Sequence, residues 1–385
     1  MDHRKTLRAS ACLLLLAALA IALPAPADEG KLAARVLKAR PDTGAPALGI
    51  VVASSDGAPD IAVDGVRVMD KADKVTTSDR WHIGSMTKSM TATMMGRLIE
   101  QGLLRFDSTL GELLPDIDMK PEYKAITVEQ VMHHRAGLQP LLRPEPELNK
   151  LVSETQGTQI EKNAAFARWL LVQLPIVPPG TTMKYSNGGY ALLGHIAERL
   201  TKQDYRSLMK REVFTPLGLS TAAFGWPIDL GADQPRGHFP LPTGFVPAPE
   251  GYRLPMHLDP AGNVYLSLAD LTKYMQAHLK GVQGKDGVLK AQTIQRLHKP
   301  TAAAAGELQY ACGWSVADMP MVGTRHGHNG SAGSFFSEMA IVPERNLVVA
   351  VVTNAGPKQG AGPPAQATLI KELLSEYDFS AAGKS

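Results

Sequence analysis

The chain has 385 residues, with 40 Lys and Arg against 37 Asp and Glu and a formal net charge of +3 at pH 7. This length allows one large domain or two modest ones, each with a sizeable core. The charges are nearly balanced and form no long basic run, whereas nucleic-acid binding requires clustered Lys and Arg. Nucleic acid is therefore excluded as an expected partner.

Residues 1–27 are predicted to be an export signal. Arg4, Lys5 and Arg8 precede the apolar run ACLLLLAALAIAL, and small residues ending at Ala27 follow it. The run is too short to span a membrane stably, and no long apolar run comes after it. We expect cleavage after Ala27, export to the periplasm or the medium, and no membrane span in the mature chain.

The chain has 2 cysteines. Cys12 stands before the apolar run rather than at its end, which argues against a lipid-anchored cysteine, and it leaves with the signal. Cys312 then remains alone. No internal disulfide is expected, even in an oxidising compartment.

After the signal, the first predicted elements are a helix and two strands. EGKLAARVLKAR has helical spacing and ends before Pro41. LGIVVASSDG and IAVDGVRVMD follow as strands joined by a turn that contains glycine. A further helix begins at Met86 and ends near Gly102, a residue suited to a helix C-cap.

Helical spacing dominates the middle of the chain and strands return near its end. Helices are predicted at TVEQVMHH, KNAAFARWLLVQL, NGGYALLGHIAERLTK, DYRSLMKREVF and LADLTKYMQAHL. A Pro- and Gly-rich stretch at about 220–262 is predicted to be loop. Strands are predicted at CGWSVADM, RHGHNG, SFFSEMAIV and NLVVAVVTN, before a last helix at AQATLIKELLSEY. This order favours a sheet completed by both chain ends with a helical region inserted into it, and the hairpin IVPERNLVV favours antiparallel pairing.

The stretch WHIGSMTKSM offers a candidate nucleophile. Ser85 and Lys88 are three residues apart where a helix begins, so their side chains share a face. A serine hydroxyl needs a base, and a lysine can serve only if burial or a nearby cation keeps it unprotonated. The same spacing occurs again at Ser207 and Lys210, so this pair alone does not establish a site.

Two further stretches offer partners for this pair. KYSNGG places Tyr185 two residues before Asn187, and GHNGSAG places His328 before a glycine-rich segment. Tyr185 can act as a base if cationic neighbours lower its pKa, and it can then pass the proton to a leaving group. Asn187 can hydrogen-bond to a substrate amide, and a glycine-rich edge strand can supply a backbone N–H to an oxyanion hole.

Together these stretches resemble a known family. S-x-x-K, Y-x-N and a third glycine-containing element resemble the β-lactamase and penicillin-binding-protein superfamily, in the branch of class C β-lactamases, secreted D-alanyl-D-alanine carboxypeptidases and related esterases. The resemblance spans about 30–375, in order through FDSTLGELLP, TVEQVMHHRAGL, PPGTTMKYSNGGYALLGHIAE, FTPLGL, DPAGNVYLSLADLTKY and GHNGSAGSF.

The resemblance implies an α+β fold. An antiparallel sheet would be flanked by N- and C-terminal helices and would carry an inserted all-helical subdomain. In the domain at 28–385, the α/β part would cover about 30–84 and 263–378, and the helical part about 85–262. The active site would lie in the cleft between the two parts.

The resemblance also implies roles for individual residues. Ser85 would be the acylated nucleophile, Lys88 its helix partner and Tyr185 the general base. The N–H groups of Ser85 and Ser331 would form the oxyanion hole. The expected substrate-binding residues are Asn187, His328, Asn329, Gly330 and Ser331. No metal or organic cofactor is expected, the expected partner is a small-molecule or peptide substrate, and the oligomeric state stays open.

The third element departs from the family pattern. It has H-N-G, where β-lactamases have K-T-G and many relatives have H-T-G. Without the lysine and the threonine, a substrate carboxylate loses a fixed positive charge and a hydroxyl. This argues against an efficient β-lactamase and, through Asn329, favours substrates without an obligatory carboxylate. H-R-A-G-L, where relatives often have H-T-S-G-L, lies outside these elements.

Other kinds of site are less well supported. His326 and His328 lack a third nearby metal ligand, and His133 and His134 are predicted to be a satisfied pair at a helix end. No G-x-S-x-G motif indicates an α/β-hydrolase, and no G-K-[ST] indicates a nucleotide site. The second S-x-x-K pair, Ser207 and Lys210, has no partner motifs at the family positions, so we do not consider it a candidate site.

The predicted function is therefore an exported serine hydrolase that acts through an acyl-enzyme on Ser85, on a peptide, amide or ester. A D-alanyl-D-alanine carboxypeptidase-like peptidase, a broad carboxylesterase, a weak β-lactamase and a non-catalytic binding protein on the same scaffold stay open as alternatives. The loops at about 140–165 and 225–262 are expected to set specificity, and their sequences do not identify the substrate.

Overall fold

A computed structural model describes residues 29–301, 306–358 and 365–381. The signal predicted at 1–27, with Cys12, lies outside the described residues. The α-helices are α1 (Glu29–Thr43), α2 (Thr87–Glu100), α3 (Leu110–Leu113), α4 (Val128–Met132), α5 (Pro146–Glu154), α6 (Gln159–Leu171), α7 (Asn187–Thr201), α8 (Tyr205–Met209), α9 (Asp259–Gly262), α10 (Leu268–Val282), α11 (Ala291–Leu297) and α12 (Ala365–Glu376). The strands are β1 (Ala47–Ala53), β2 (Asp60–Gly65), β3 (Arg80–His82), β4 (Ala223–Phe224), β5 (His238–Leu241), β6 (Gly244–Pro247), β7 (Val264–Ser267), β8 (Ser315–Met319), β9 (Gly323–Ser331), β10 (Phe336–Val342) and β11 (Leu347–Thr353).

The main sheet joins the two ends of the described chain. Its six strands lie in the order β2-β1-β11-β10-β9-β8, and every neighbouring pair is antiparallel. β1 pairs with β11 from Leu48 opposite Thr353 to Ala53 opposite Val348. The predicted α+β fold, with an antiparallel sheet between terminal helices, is confirmed.

Both faces of the sheet are buried at the central strands β1, β10 and β11, which explains their continuous burial. In β1 every residue is buried, and successive side chains point to opposite faces of the sheet. Leu48 and Ile50 pack in one cluster with residues of α1 and α12, whereas Val51 packs in the larger cluster with residues of α2, α7 and α10. The helical region therefore lies on the face of the sheet opposite the two terminal helices.

The end of α1 differs from the prediction. The sequence predicts an end before Pro41, but the helix continues to Thr43. Proline lacks the N–H that would bond one turn back, yet its carbonyl accepts from Gly44 N at 3.0 Å. Thr43 Oγ1 also donates to Arg40 O at 2.7 Å, so a proline in the last turn is tolerated.

The stretch at about 220–262 contains more structure than the predicted loop. β4 joins a small sheet in the order β3-β7-β4, and β5 and β6 form a hairpin. His238 anchors the hairpin, because its Nδ1 donates to Asn354 O at 2.7 Å and its Nε2 accepts from Met69 N at 3.0 Å. The strands are two to four residues long and rich in proline, so they show no alternating pattern in the sequence.

Two glycines allow the turn before α2 to lie against β9. Gly84 has φ +51°, and a Cβ on it would lie 2.4 Å from Ser331 N. A Cβ on Gly330 would lie 1.9 Å from Ile83 O and 2.8 Å from Ser85 N. The contact is backbone against backbone, so it holds Ser85 next to the third sequence element.

A buried carboxylate lies inside the helical region. Glu198 is 1% exposed, its two oxygens lie 3.0 and 3.1 Å from Asn163 Nδ2, and one accepts from Tyr205 N at 3.0 Å. Burial outweighs these donors and raises the pKa of Glu198 to about 7. Folding therefore takes up a proton at this side chain when the pH lies between the free and the folded pKa.

Gly84→Ala tests the backbone contact, and Gly102→Ala is its matched control. Gly102 also has a positive φ, of +75°, but has nothing within 4 Å of an added Cβ. Gly102→Ala should therefore lower the unfolding free energy only by the backbone strain, about 1–2 kcal/mol. Gly84→Ala must also displace β9, and we expect it to cost at least about 2 kcal/mol more. If urea unfolding showed equal losses of unfolding free energy in the two variants, the backbone contact at Gly84 would be contradicted.

Glu198→Gln should flatten the pH dependence of stability. The raised pKa gives stability that is fully present below the free value of 4.5 and is lost as the pH rises through about 7. Between pH 4 and pH 8 the unmodified protein should lose up to about 3 kcal/mol that the variant does not lose. Parallel curves of unfolding free energy against pH would show that this carboxyl is not the cause.

Candidate active site

The first two predicted residues lie together where α2 begins. Ser85 is in a 3-10 turn, Gly84–Met86, that leads directly into the helix, and Lys88 is in the first helical turn. Lys88 Nζ lies 3.1 Å from Ser85 Oγ. The shared helix face predicted from the three-residue spacing is present.

Lys88 is buried among neutral acceptors. Its Nζ donates to Ala261 O and to Asn187 Oδ1, each at 2.7 Å, and Asn187 Nδ2 donates to Leu141 O at 2.9 Å, which orients the amide oxygen towards Lys88. Burial lowers the pKa of Lys88 well below its ordinary value. A neutral amine has two N–H groups and one lone pair, so with both N–H groups engaged the lone pair faces the Ser85 hydroxyl.

Tyr185 lies on the other side of Ser85. The Ser85 side chain adjoins its hydroxyl and by itself would lower the pKa of Tyr185, and Lys88 Nζ lies 4.7 Å from the centre of the tyrosine ring. Burial raises the pKa of Tyr185, whereas the sequence led us to expect cations to lower it. The expected cation is Lys88, but burial lowers its own pKa well below the ordinary value, and burial of the phenol outweighs the effect of Ser85. At rest Tyr185 is a phenol beside Ser85.

His134 contacts this group although it was not predicted to. Its ring centre lies 4.3 Å from that of Tyr185, and its Nδ1 accepts from Ser186 N at 3.1 Å. Its Nε2 and both ring nitrogens of His133 are buried and have no hydrogen-bond partner in the described chain. The pair does lie at the end of α4, as predicted, but of its four ring nitrogens only Nδ1 of His134 has a hydrogen-bond partner among the described residues. The only signal for His134 was its position in the block HHRAGL.

His328 reaches the site from β9 as a neutral imidazole. Its Nδ1 donates to Asn329 O, so its Nε2 accepts from the hydroxyl of Tyr310, at 2.9 Å. Burial lowers the pKa of His328 to about 3. Its ring centre lies 6.3 Å from that of Tyr185. Tyr310 was not predicted, because an isolated tyrosine gives no sequence signal.

The H-R-A-G-L departure has a structural explanation. Arg135 donates to Thr301 Oγ1 at 2.8 Å and forms an ion pair of 2.8 Å with Glu307. Glu307 also accepts from Met183 N at 2.6 Å. Arg135 therefore ties the segment leading to Tyr310 to the segment leading to Tyr185.

The remaining predicted residues lie on β9. Gly330 is in backbone contact with the turn at Ser85, and Ser331 lines the same cavity as Ser85. Asn329 is exposed and, by strand alternation, points to the face opposite His328. The structure thus brings all predicted side chains together except that of Asn329, whose contact with substrate stays a prediction.

A cavity of about 370 Å³ opens beside Ser85. One wall comes from the segment 141–149 and the other from 252–262, both within the loops expected to set specificity. Leu141, Leu148 and Leu258 make the walls largely apolar, and Arg143 and Glu145 lie at the exposed rim. The cavity suits a substrate with an apolar body.

Other candidate features lie elsewhere. Ser207 is exposed on α8, outside this cavity. Across the described ranges, no three or more His, Cys, Asp or Glu side chains are grouped to hold a metal ion. The helices described here include none that is long and apolar enough to cross a membrane.

Comparisons with known proteins agree with this architecture. Penicillin-binding protein 4 of Amycolatopsis lactamdurans is 28% identical over 312 residues, which are 78% of this chain and 78% of that protein. Among solved structures, the octameric penicillin-binding protein homologue from Pyrococcus abyssi has a TM-score of 0.73 at 24% identity, covering 93% of this chain and 81% of that one.

D-alanine carboxypeptidase AmpC from Burkholderia cenocepacia has a TM-score of 0.71 at 21% identity, covering 90% of this chain and 98% of that chain. At these identities the two solved structures establish the fold alone. The model of the Beta-lactamase family matches residues 34–372, which is most of the sequence. The chain belongs to the β-lactamase family.

Proposed function

We propose that this protein is an exported serine hydrolase that forms an acyl-enzyme on Ser85. The observation that carries the proposal is the position of Ser85 Oγ, 3.1 Å from a buried Lys88 Nζ and beside the buried Tyr185. A serine is activated when an adjacent base accepts its proton. Membership of the β-lactamase family and the names of its relatives support the same reaction class. Export rests on the sequence at 1–27.

In the acylation step, Ser85 Oγ attacks the substrate carbonyl carbon while its proton moves to the lone pair of Lys88. The backbone N–H groups of Ser85 and Ser331 stabilise the oxyanion. The tetrahedral intermediate then expels the leaving group, which takes the phenolic proton of Tyr185. Lys88, now an ammonium ion, returns a proton to Tyr185, so the site regains its resting protonation.

Deacylation repeats this sequence with water in place of the leaving group. Water attacks the ester carbonyl of the acyl-enzyme while its proton passes through Tyr185 to Lys88. Ser85 Oγ then leaves and recovers a proton from Lys88. Each turnover breaks the bond between the substrate's carbonyl carbon and the leaving group, and consumes one water molecule.

The charge of the site favours substrates without an obligatory carboxylate, such as esters, over β-lactams. His328 occupies the position where β-lactamases have a lysine, and it is neutral because burial lowers its pKa to about 3. No fixed cation on the third element is then available to a substrate carboxylate. A D-alanyl-D-alanine carboxypeptidase-like peptidase is the second candidate, supported by the likeness to D-alanine carboxypeptidase AmpC.

Ser85→Ala should abolish turnover, and Ser207→Ala is the matched control because it alters the serine of the second S-x-x-K. With p-nitrophenyl acetate we expect at least a 10³-fold loss in kcat for Ser85→Ala, and an unaltered rate for the control. Incubation with benzylpenicillin followed by intact-mass measurement reports the acyl-enzyme: a persistent adduct, absent from Ser85→Ala, indicates a peptidase. Neither ester turnover nor an adduct in the unmodified protein would indicate the non-catalytic alternative.

Tyr185→Phe should lower kcat for the same ester by about 10²–10⁴-fold, because it removes the group that delivers the proton. The acid limb of kcat/KM, set by the need for neutral Lys88, should lie well below the ordinary lysine pKa and should persist in this variant. Lys88→Arg should be inactive, since a guanidinium stays protonated. Unchanged turnover in Tyr185→Phe would remove Tyr185 from the mechanism.

A further inference from the structure

One histidine in the wall of the catalytic cavity has no part in the reaction described above. His257 lies in a 3-10 turn, Met256–Leu258, and lines the same cavity as Ser85 and Asn187. The same segment, four residues later, supplies the carbonyl of Ala261 that holds Lys88. The position of His257 is therefore tied to that of the catalytic base.

The ring is held rigidly. His257 is 3% exposed, and it stacks on the buried ring of Phe166 in α6, with centres 5.1 Å apart and planes inclined by 23°. Stacking on Phe166 and burial keep the His257 ring in one orientation even when no ligand is bound. Such a group is preorganised to form a hydrogen bond.

The hydrogen-bonding capacity of the ring is unused. Nδ1 is buried and has no partner in the described chain, and burial lowers the pKa of His257 to about 4, so the imidazole is neutral at pH 7. A neutral imidazole carries one N–H and one lone pair. Buried N–H groups without a partner are rarer than buried acceptors without one, so the enclosed Nδ1 is the unprotonated nitrogen. The proton is then on Nε2.

The surroundings define what Nε2–H can bind. Leu148 and Leu258 line the same cavity, and the charged side chains of Arg143 and Glu145 at its rim have opposite signs. Arg253, the third charged residue of the lining, is ion-paired with Asp229. A neutral donor in an apolar wall without net charge suits a neutral carbonyl oxygen. A carboxylate would lose its hydration without gaining a counter-charge.

We propose that His257 is a specificity-determining residue that donates a hydrogen bond to a second carbonyl group in the acyl part of the substrate. The preferred substrates are then acyl donors with an amide or ester carbonyl beyond the one attacked by Ser85, as in an N-acylated aminoacyl group. Simple alkanoyl esters lack this group. This inference rests on the proposed serine hydrolase activity, and it names the class of substrate.

The test compares p-nitrophenyl esters of equal chain length. One series carries N-acetylglycyl, N-acetyl-β-alanyl and N-acetyl-γ-aminobutyryl groups, the second carries the matching alkanoyl groups, and a succinyl ester presents a carboxylate. For at least one chain length we expect the unmodified protein to show a kcat/KM about tenfold higher for the amide-containing ester than for its alkanoyl partner. A preference for the succinyl ester would overturn the proposal.

His257→Phe keeps a ring against Phe166 but removes the donor, and it should bring this ratio close to one. His257→Gln restores an N–H donor and should recover part of the ratio. His195→Phe is the matched control. His195 also has a buried Nδ1 without a hydrogen-bond partner in the described chain, but it does not line the cavity. Its ratio should equal that of the unmodified protein.

The outcomes separate the two proposals. A ratio in His257→Phe equal to that of the unmodified protein, or equal losses on both ester series, would overturn the role of His257 while leaving the hydrolase intact. Ester turnover that persists in Ser85→Ala would overturn the hydrolase itself. If His257→Phe does not fold, as judged by circular dichroism, the comparison of His257→Gln with the unmodified protein decides. A ratio close to one in a folded His257→Gln would contradict a role for a simple N–H donor.

Discussion

The active site depends on the burial of Lys88 with no carboxylate among the described residues to neutralise it. An ammonium ion there would lose its hydration and gain only carbonyl oxygens, so the neutral amine is favoured. Three separate elements make this possible: α2 carries Lys88, the start of α7 carries Asn187, and the segment before β7 presents Ala261 O. The base therefore exists only when these three segments have packed together. Folding and catalytic competence are coupled through one side chain.

The second constraint is the backbone contact between the turn at Gly84 and β9 at Gly330. A side chain at either position would overlap main-chain atoms of the other segment. The contact holds the N–H of Ser85 beside the strand that supplies Ser331, so two parts of the chain about 250 residues apart can share one oxyanion. Gly330, which lies between His328 and Ser331 on β9, is thus required by the geometry, whatever the substrate.

The sequence predicted the parts of this architecture that leave a pattern in residue types. The sheet built from both chain ends, the main helices, and the meeting of Ser85, Lys88, Tyr185 and Asn187 followed from periodicity and from ordered motifs. The carbonyl of Ala261 could not be predicted, because any residue has one. The raised pKa of Tyr185 could not be predicted either, since it depends on how deeply the site is buried. The short proline-rich strands between 220 and 262 were not predicted, because their sequences lack the alternation of apolar and polar residues that indicates a strand.

Desolvation lowers the pKa of Lys88 and of His328 and raises that of Tyr185, so it favours the uncharged form of all three side chains around Ser85. In the proposed reaction, charge develops on the oxyanion and on Lys88. The site gains little by binding a charged ground state and most by stabilising the separated charges of the transition state. Binding of the substrate before reaction must then come from apolar walls and neutral hydrogen bonds. A fixed lysine on β9 would shift that balance towards a carboxylate ligand, and its absence is consistent with a cavity whose selectivity rests on shape and on neutral donors.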